Sequence, residues 1–216
     1  MGHVPGSGQG SELALDTQAL LEALEGVALI LDPQLRIRAV GWRAWDDLYR
    51  QAGGQSPPHC DVIGRVVTEF MTPGPVRETY GRLFDDVAHR RRRRVKVDFR
   101  CDAPDTERQM RLAVAPVLET GTVVGLLYQS VLLHARQRPP LPLFAAEAAA
   151  EGQVGVLTIC TVCARVAWPI GTAGPDREWI EAAEYYRRGG AEVALLSHGF
   201  CPPCYERLTR EEQEAA

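Results

Sequence analysis

The chain has 216 residues, 45% of them hydrophobic and 24% charged, and a net charge of −4. That balance is ordinary for a folded globular protein with room for a core that needs no disulfides, and its slight acidity gives no global field for nucleic acid or an anionic membrane. The longest apolar runs, such as Val123–Tyr128 and Val131–Leu133, are far too short to span a bilayer, and Met1–Gly10 has no basic-then-apolar signal pattern. The expectation is a cytoplasmic protein with no membrane partner, where thiols stay reduced and clustered cysteines point to metal rather than to disulfides.

Leu13, Leu20, Leu21 and Leu24 follow helical spacing up to Gly26, which predicts a short helix ending near Glu25. Val27–Leu31 reads as a strand, turned by Asp32-Pro33-Gln34 into a return strand over Leu35–Val40. Trp42, Trp45, Leu48 and Tyr49 recur at helical spacing, and both tryptophans are expected in the core. Gly53-Gly54 and Ser56-Pro57-Pro58 end that helix. After Thr72-Pro73-Gly74-Pro75 comes a helix of about Val76–Arg91 with Tyr80, Leu83, Phe84 and Val87 on its apolar face. Val95, Val97, Phe99 and Cys101 then alternate with charged residues, the period of a half-buried antiparallel strand that places Cys101 on the core face. Two more strands follow, one carrying Met110, Leu112 and Val114 inward and one over Thr122–Leu133.

Arg90–Arg94 is the one dense charge block. It lies where a helix ends and a strand begins, with Asp85, Asp86 and Asp98 nearby, so it reads as a solvated junction. His89 reads as a surface residue for the same reason.

Arg136–Pro142 breaks the strand pattern and reads as a stiff linker, continued or followed by a short helix over Phe144–Glu151. Beyond it, Cys160-x-x-Cys163 and Cys201-x-x-Cys204 carry the clearest chemistry in the chain. Each C-x-x-C places two thiolates on one tight loop, and two such loops complete a tetrahedral shell; all-thiolate shells suit zinc or iron–sulfur chemistry, and structural Zn²⁺ is the expected metal. The 37 residues between the pairs, 164–200, are more than a compact zinc ribbon needs. They are expected to hold a helix capped by Asp176, carrying Trp179, Ile180 and Ala183 on its apolar side and ending at Gly189-Gly190, with Glu184 and Arg188 as an i,i+4 pair. His198 is read as a neighbour of the metal shell or a turn residue rather than a ligand.

The order of two strands, helices and a three-strand meander, with Ile30-Leu31-Asp32, Gly41-Trp42, Val62-Ile63-Gly64-Arg65 and Phe99-Arg100-Cys101-Asp102-Ala103-Pro104, resembles the PAS fold of sensory proteins. The segment with Ile159-Cys160-Thr161-Val162-Cys163, a Trp–Tyr helix and Ser197-His198-Gly199-Phe200-Cys201-Pro202-Pro203-Cys204 is similar to a short C-terminal module of bacterial signalling proteins. The resemblance implies an α+β chain: a flexible start over 1–19, a PAS-like antiparallel sheet with flanking helices over 20–135, a linker over 136–153, a four-cysteine zinc-ribbon-like module over 154–210 and a tail over 211–216. It also implies a non-enzymatic sensor, with a homodimer or another signalling protein as partner and a small molecule in the PAS pocket. No organic cofactor is supported, since the flavin-type Asn-Cys-Arg motif is absent. Two alternatives stay open: a zinc/disulfide redox switch, and a nucleic-acid-binding regulator that the acidic balance disfavours.

Overall fold

Alternation and helical stripes in the first half of the sequence call for a sheet with one covered face, and the computed structural model has that arrangement. It describes residues 16–51, 58–145, 156–168, 177–190 and 195–210. Helix α1 (Thr17–Ala23) is capped by the Asp16 side chain and precedes β1 (Val27–Leu31) and β2 (Ile37–Val40). Leu35 takes the left-handed conformation (φ 63°) that closes the hairpin, so β2 starts two residues later than expected. Helices α2 (Trp42–Gln51) and α3 (Pro75–Ala88) follow, and then the meander β3 (Val95–Arg100), β4 (Thr106–Glu119) and β5 (Thr122–Gln137).

These strands form one antiparallel five-stranded sheet in the order β2-β1-β5-β4-β3. The α3 stripe lies on it: Tyr80, Leu83, Phe84 and Val87 are all buried, against Leu112, Val114 and Leu126 of the meander. Phe84 meets Tyr128 edge-on at 6.1 Å between ring centroids, so side chains occupy the space between α3 and the sheet where the PAS resemblance implies a ligand. Trp45 is buried, whereas Trp42 is exposed, contrary to the expectation of a core residue.

The second half builds a smaller sheet, β8-β7-β6-β9, from β6 (Val156–Cys160), β7 (Val166–Trp168), β8 (Glu178–Ile180) and β9 (Leu195–Gly199). Helix α4 (Ala182–Arg187) follows β8, and α5 (Pro202–Arg210) follows β9. Trp179 and Ile180, expected on a helix, stand on β8, because residues 178–180 pair with β7; the helix starts only after them. Tyr185 is fully buried, with Trp168 5.8 Å away and Tyr186 5.1 Å away. Gly190 makes room for it, since a Cβ there would lie 2.4 Å from the Tyr185 ring.

Three further expectations need correction. Arg136 and Gln137, placed in the linker, are the last residues of β5, and Leu143 in the turn Pro142–Phe144 is buried. Cys101, placed on the core face, is exposed, because β3 ends at Arg100. In the arginine run, Arg91 pairs with Asp85 and Asp86 at the surface, but Arg92 is buried. The Gly53-Gly54 break, the Asp176 cap, most of the Phe144–Glu151 segment and the tail over 211–216 lie outside the described residues. Among the described residues no helix is long and apolar enough to cross a membrane.

Candidate metal centre

Two strands that run in parallel deliver their loops to the same place. β6 and β9 are parallel neighbours with Cys160 opposite Gly199, so the C-x-x-C that follows each strand emerges at one end of the sheet. The first pair sits in the tight connection to β7: the Ala164 N–H donates to the Cys160 carbonyl at 2.9 Å, and Ala164 adopts φ 58° to close the turn. The second pair straddles the start of α5, where the Tyr205 N–H donates to the Cys201 carbonyl at 3.0 Å. Thr161 N–H donates to the Gly199 carbonyl at 3.0 Å and locks the two loops together.

The result is a cluster of Cys160, Cys163, Cys201 and Cys204 whose Sγ atoms all lie within 4.8 Å of one another. A tetrahedral metal with bonds of about 2.3 Å to sulfur requires sulfurs about 3.8 Å apart. Cys163 and Cys201 stand 3.7 Å apart. Cys160, Cys201 and Cys204 are buried, Cys163 is half-buried, and all six cysteines of the chain are free thiols. The donor set therefore fits a thiophilic divalent metal.

The electrostatics lead to the same fit. The Cys163 thiol, together with backbone N–H groups of Cys201, Cys163 and Val162, holds the Cys160 sulfur well below the usual thiol range. Its hydrogen bond to Cys160 and its burial push Cys163 up, and burial pushes Cys204 up to about 12. A second or third thiolate thus needs a cation beside it. His198 stays outside the cluster on β9, and burial lowers its pKa; it is not among the grouped donors.

The cluster is not an appendage. Cys160, Val162, Cys201, Cys204 and Leu208 belong to the same apolar core as α3 and the five-stranded sheet, and Phe200 lies 6.2 Å from Tyr80 of α3. The Arg100 N–H, at the end of edge strand β3, donates to the Val162 carbonyl inside the first C-x-x-C at 2.9 Å. Around that joint Asp102, whose side chain is wholly buried, pairs with Arg100 and with Arg138 at 2.7 Å, and Arg100 reaches Glu181 of the second half at 3.8 Å. Tyr186 completes the joint by accepting the Leu143 N–H at 2.8 Å. Sequence spacing had no means of finding this network, since its members lie up to 86 positions apart (Arg100 to Tyr186) and carry no motif.

No protein-family model matches the chain, and no curated protein matches it. Among solved structures, the sensor region of a sensor histidine kinase is similar over 50% of this chain at 11% identity and a TM-score of 0.37; this chain covers 39% of that one. The PAS domain of BvgS from Bordetella pertussis is similar over 54% of this chain and 83% of its own length, at 12% identity and a TM-score of 0.37. The PAS domain of an HTR-like protein from Haloarcula marismortui is similar over 54% of this chain and 88% of its own, at 17% identity and a TM-score of 0.31. The first half is PAS-like in its strand order β2-β1-β5-β4-β3, with α2 and α3 inserted between its second and third strands.

Proposed function

We propose that the chain is a non-enzymatic sensory or adaptor protein, with a PAS-like domain that runs from residue 20 to the end of β5, joined through the residues up to 153 to a structural zinc module over 154–210. Cys160, Cys163, Cys201 and Cys204 would hold one Zn²⁺. The ion would neutralise the thiolates and cross-link two loops that the short strands alone hold weakly. The observation that carries this is the grouping of four Sγ atoms within 4.8 Å at the ends of parallel β6 and β9. Because the cluster shares its core with α3 and touches β3 through Arg100, a change in either half is felt in the other. Output would pass to a second copy or to another signalling protein.

A second reading is favoured by one feature: Cys163 is only half-buried, 3.7 Å from Cys201, so an oxidant can reach it. Oxidation would remove two electrons from two thiolates, form a disulfide and release the metal, with peroxide as the oxidant reduced to water. One experiment separates the two. Protein purified without added metal is analysed for zinc, then treated with mild peroxide. One zinc per chain, retained in peroxide, supports the structural role; zinc release reversed by a thiol reductant supports the switch. Absence of zinc, or iron in its place, contradicts both.

A further inference from the structure

Most of the Ser197-His198-Gly199-Phe200 run takes no part in the cysteine cluster. It lines a cleft of about 680 Å³ between α3, the second sheet and the start of α5. That volume is within the range of small-molecule sites. We propose that this cleft binds a small planar aromatic anion, and that it, rather than the filled space under α3, is where the protein meets its ligand. This deepens the sensory role given above and rests on it.

The chemistry of the lining selects the class of ligand. Trp179, Phe200 and Tyr205 supply aromatic surface, and the Phe200 ring is held between Tyr80 at 6.2 Å and Tyr205 at 6.0 Å. Rings so fixed favour a further ring in offset or tilted contact. Among the described residues, the lining carries the guanidinium groups of Arg82 and Arg177 and the carboxylate of Glu78. A guanidinium matches a carboxylate or phosphate through two parallel hydrogen bonds. The hydroxyls of Thr79, Thr158 and Ser197 and the His198 imidazole add groups that can both donate and accept, enough to orient a polar substituent. Gly199 keeps this wall close to Thr158, since a Cβ there would come to 3.3 Å of its Cγ2.

The place of the cleft gives binding a consequence. Arg82 and Thr79 belong to α3, the helix that covers the five-stranded sheet, while Phe200 and Pro202 flank Cys201 of the metal cluster. A ligand seated there touches both halves and tightens them on each other.

The test is a two-dimensional NMR titration of the full chain carrying its zinc. The probes are indole-3-acetate, its neutral counterpart indole-3-acetamide, and adenosine monophosphate as an aromatic phosphate. Saturable shifts for indole-3-acetate at Thr79, Trp179, His198 and Phe200 are expected, with the amide bound about tenfold more weakly, the effect of losing a charge-assisted hydrogen bond. Arg82→Gln should weaken the acid by about the same factor. Tyr205→Leu, at an exposed position, should weaken acid and amide alike. Tighter binding of adenosine monophosphate at the same residues would assign the anion as a phosphate. No saturable shift with either anion, equal affinity for the amide, or shifts confined to Arg90–Arg94 would overturn the proposal. A failure here with zinc in place counts against the cleft alone, whereas a zinc-free protein counts against the metal module.

Discussion

The five-stranded sheet packs strands of up to 16 residues against the 14-residue α3, and its interior is dominated by apolar side chains. The second half is made of strands of 3 to 5 residues and helices of 6 and 9 residues. One face of its sheet has a small apolar core around Leu157, Ile159, Val166, Ile180 and Tyr185; the other bears Cys160 and meets the first half. The contrast shows what each half requires. Where the apolar area buried is large, burial alone outweighs the entropy of ordering the chain. Where elements are this short, the proposed metal would supply the difference by cross-linking them once folding brings the four cysteines together.

Breaking the metal site should separate the halves most sharply. Cys201→Ser would remove one of the four proposed ligands from a type of site worth on the order of 10 kcal/mol of coupled folding energy. We expect zinc content to fall to near zero and the amides of 156–168 and 195–210 to lose their dispersed NMR signals, while β1–β5 keep theirs. The opposite break is Phe84→Ala, which empties a fully buried aromatic site at a cost of about 3–5 kcal/mol. It should lower the unfolding midpoint in urea for the whole chain and leave zinc stoichiometry unchanged in the folded fraction. Asp102→Asn acts on the joint: Arg100 and Arg138 lose a buried carboxylate, but Glu107 stays 3.4 Å from Arg100. Part of the cost of a broken buried pair remains, about 2–3 kcal/mol, and the urea transition should split into two.

The smallest effect belongs to the edge strand. The Arg111 guanidinium pairs with Asp98 at 2.6 Å and holds its carboxyl below the usual range, although both groups are partly exposed. A carboxyl depressed in the folded state stabilises it at pH above its unfolded pKa, and that stability is lost as pH falls through the depressed value. Screening keeps the contribution under about 1 kcal/mol. Asp98→Asn should therefore cost little at neutral pH and nothing at the acid end of the urea series.

Legibility in the sequence followed the length of each element. The α3 stripe and the alternation of Val95, Val97 and Phe99 were readable because several periods repeat. Cys101 continued that alternation on paper, but Asp102 turns the chain toward Arg138 just beyond Arg100. Three residues cannot show a period: Trp179 and Ile180 fit a helical pattern with Ala183 as well as they fit β8, and only pairing with β7 decides. The cysteine pairs were legible by spacing, but not the parallel alignment of β6 and β9 that unites them, which depends on partners 39 positions apart (Val156 with Leu195). His198 sits beside the motif in sequence and faces the cleft in space.

Hydrogen exchange followed by mass spectrometry, on the full chain loaded with zinc and after chelation, tests the contrast between the halves most directly. Chelation should abolish protection in 156–168 and 195–210 and leave β1, β4 and β5 protected, with the end of β3 near Arg100 partly opened. Equal protection with and without zinc, or collapse of both halves together on chelation, would contradict the account.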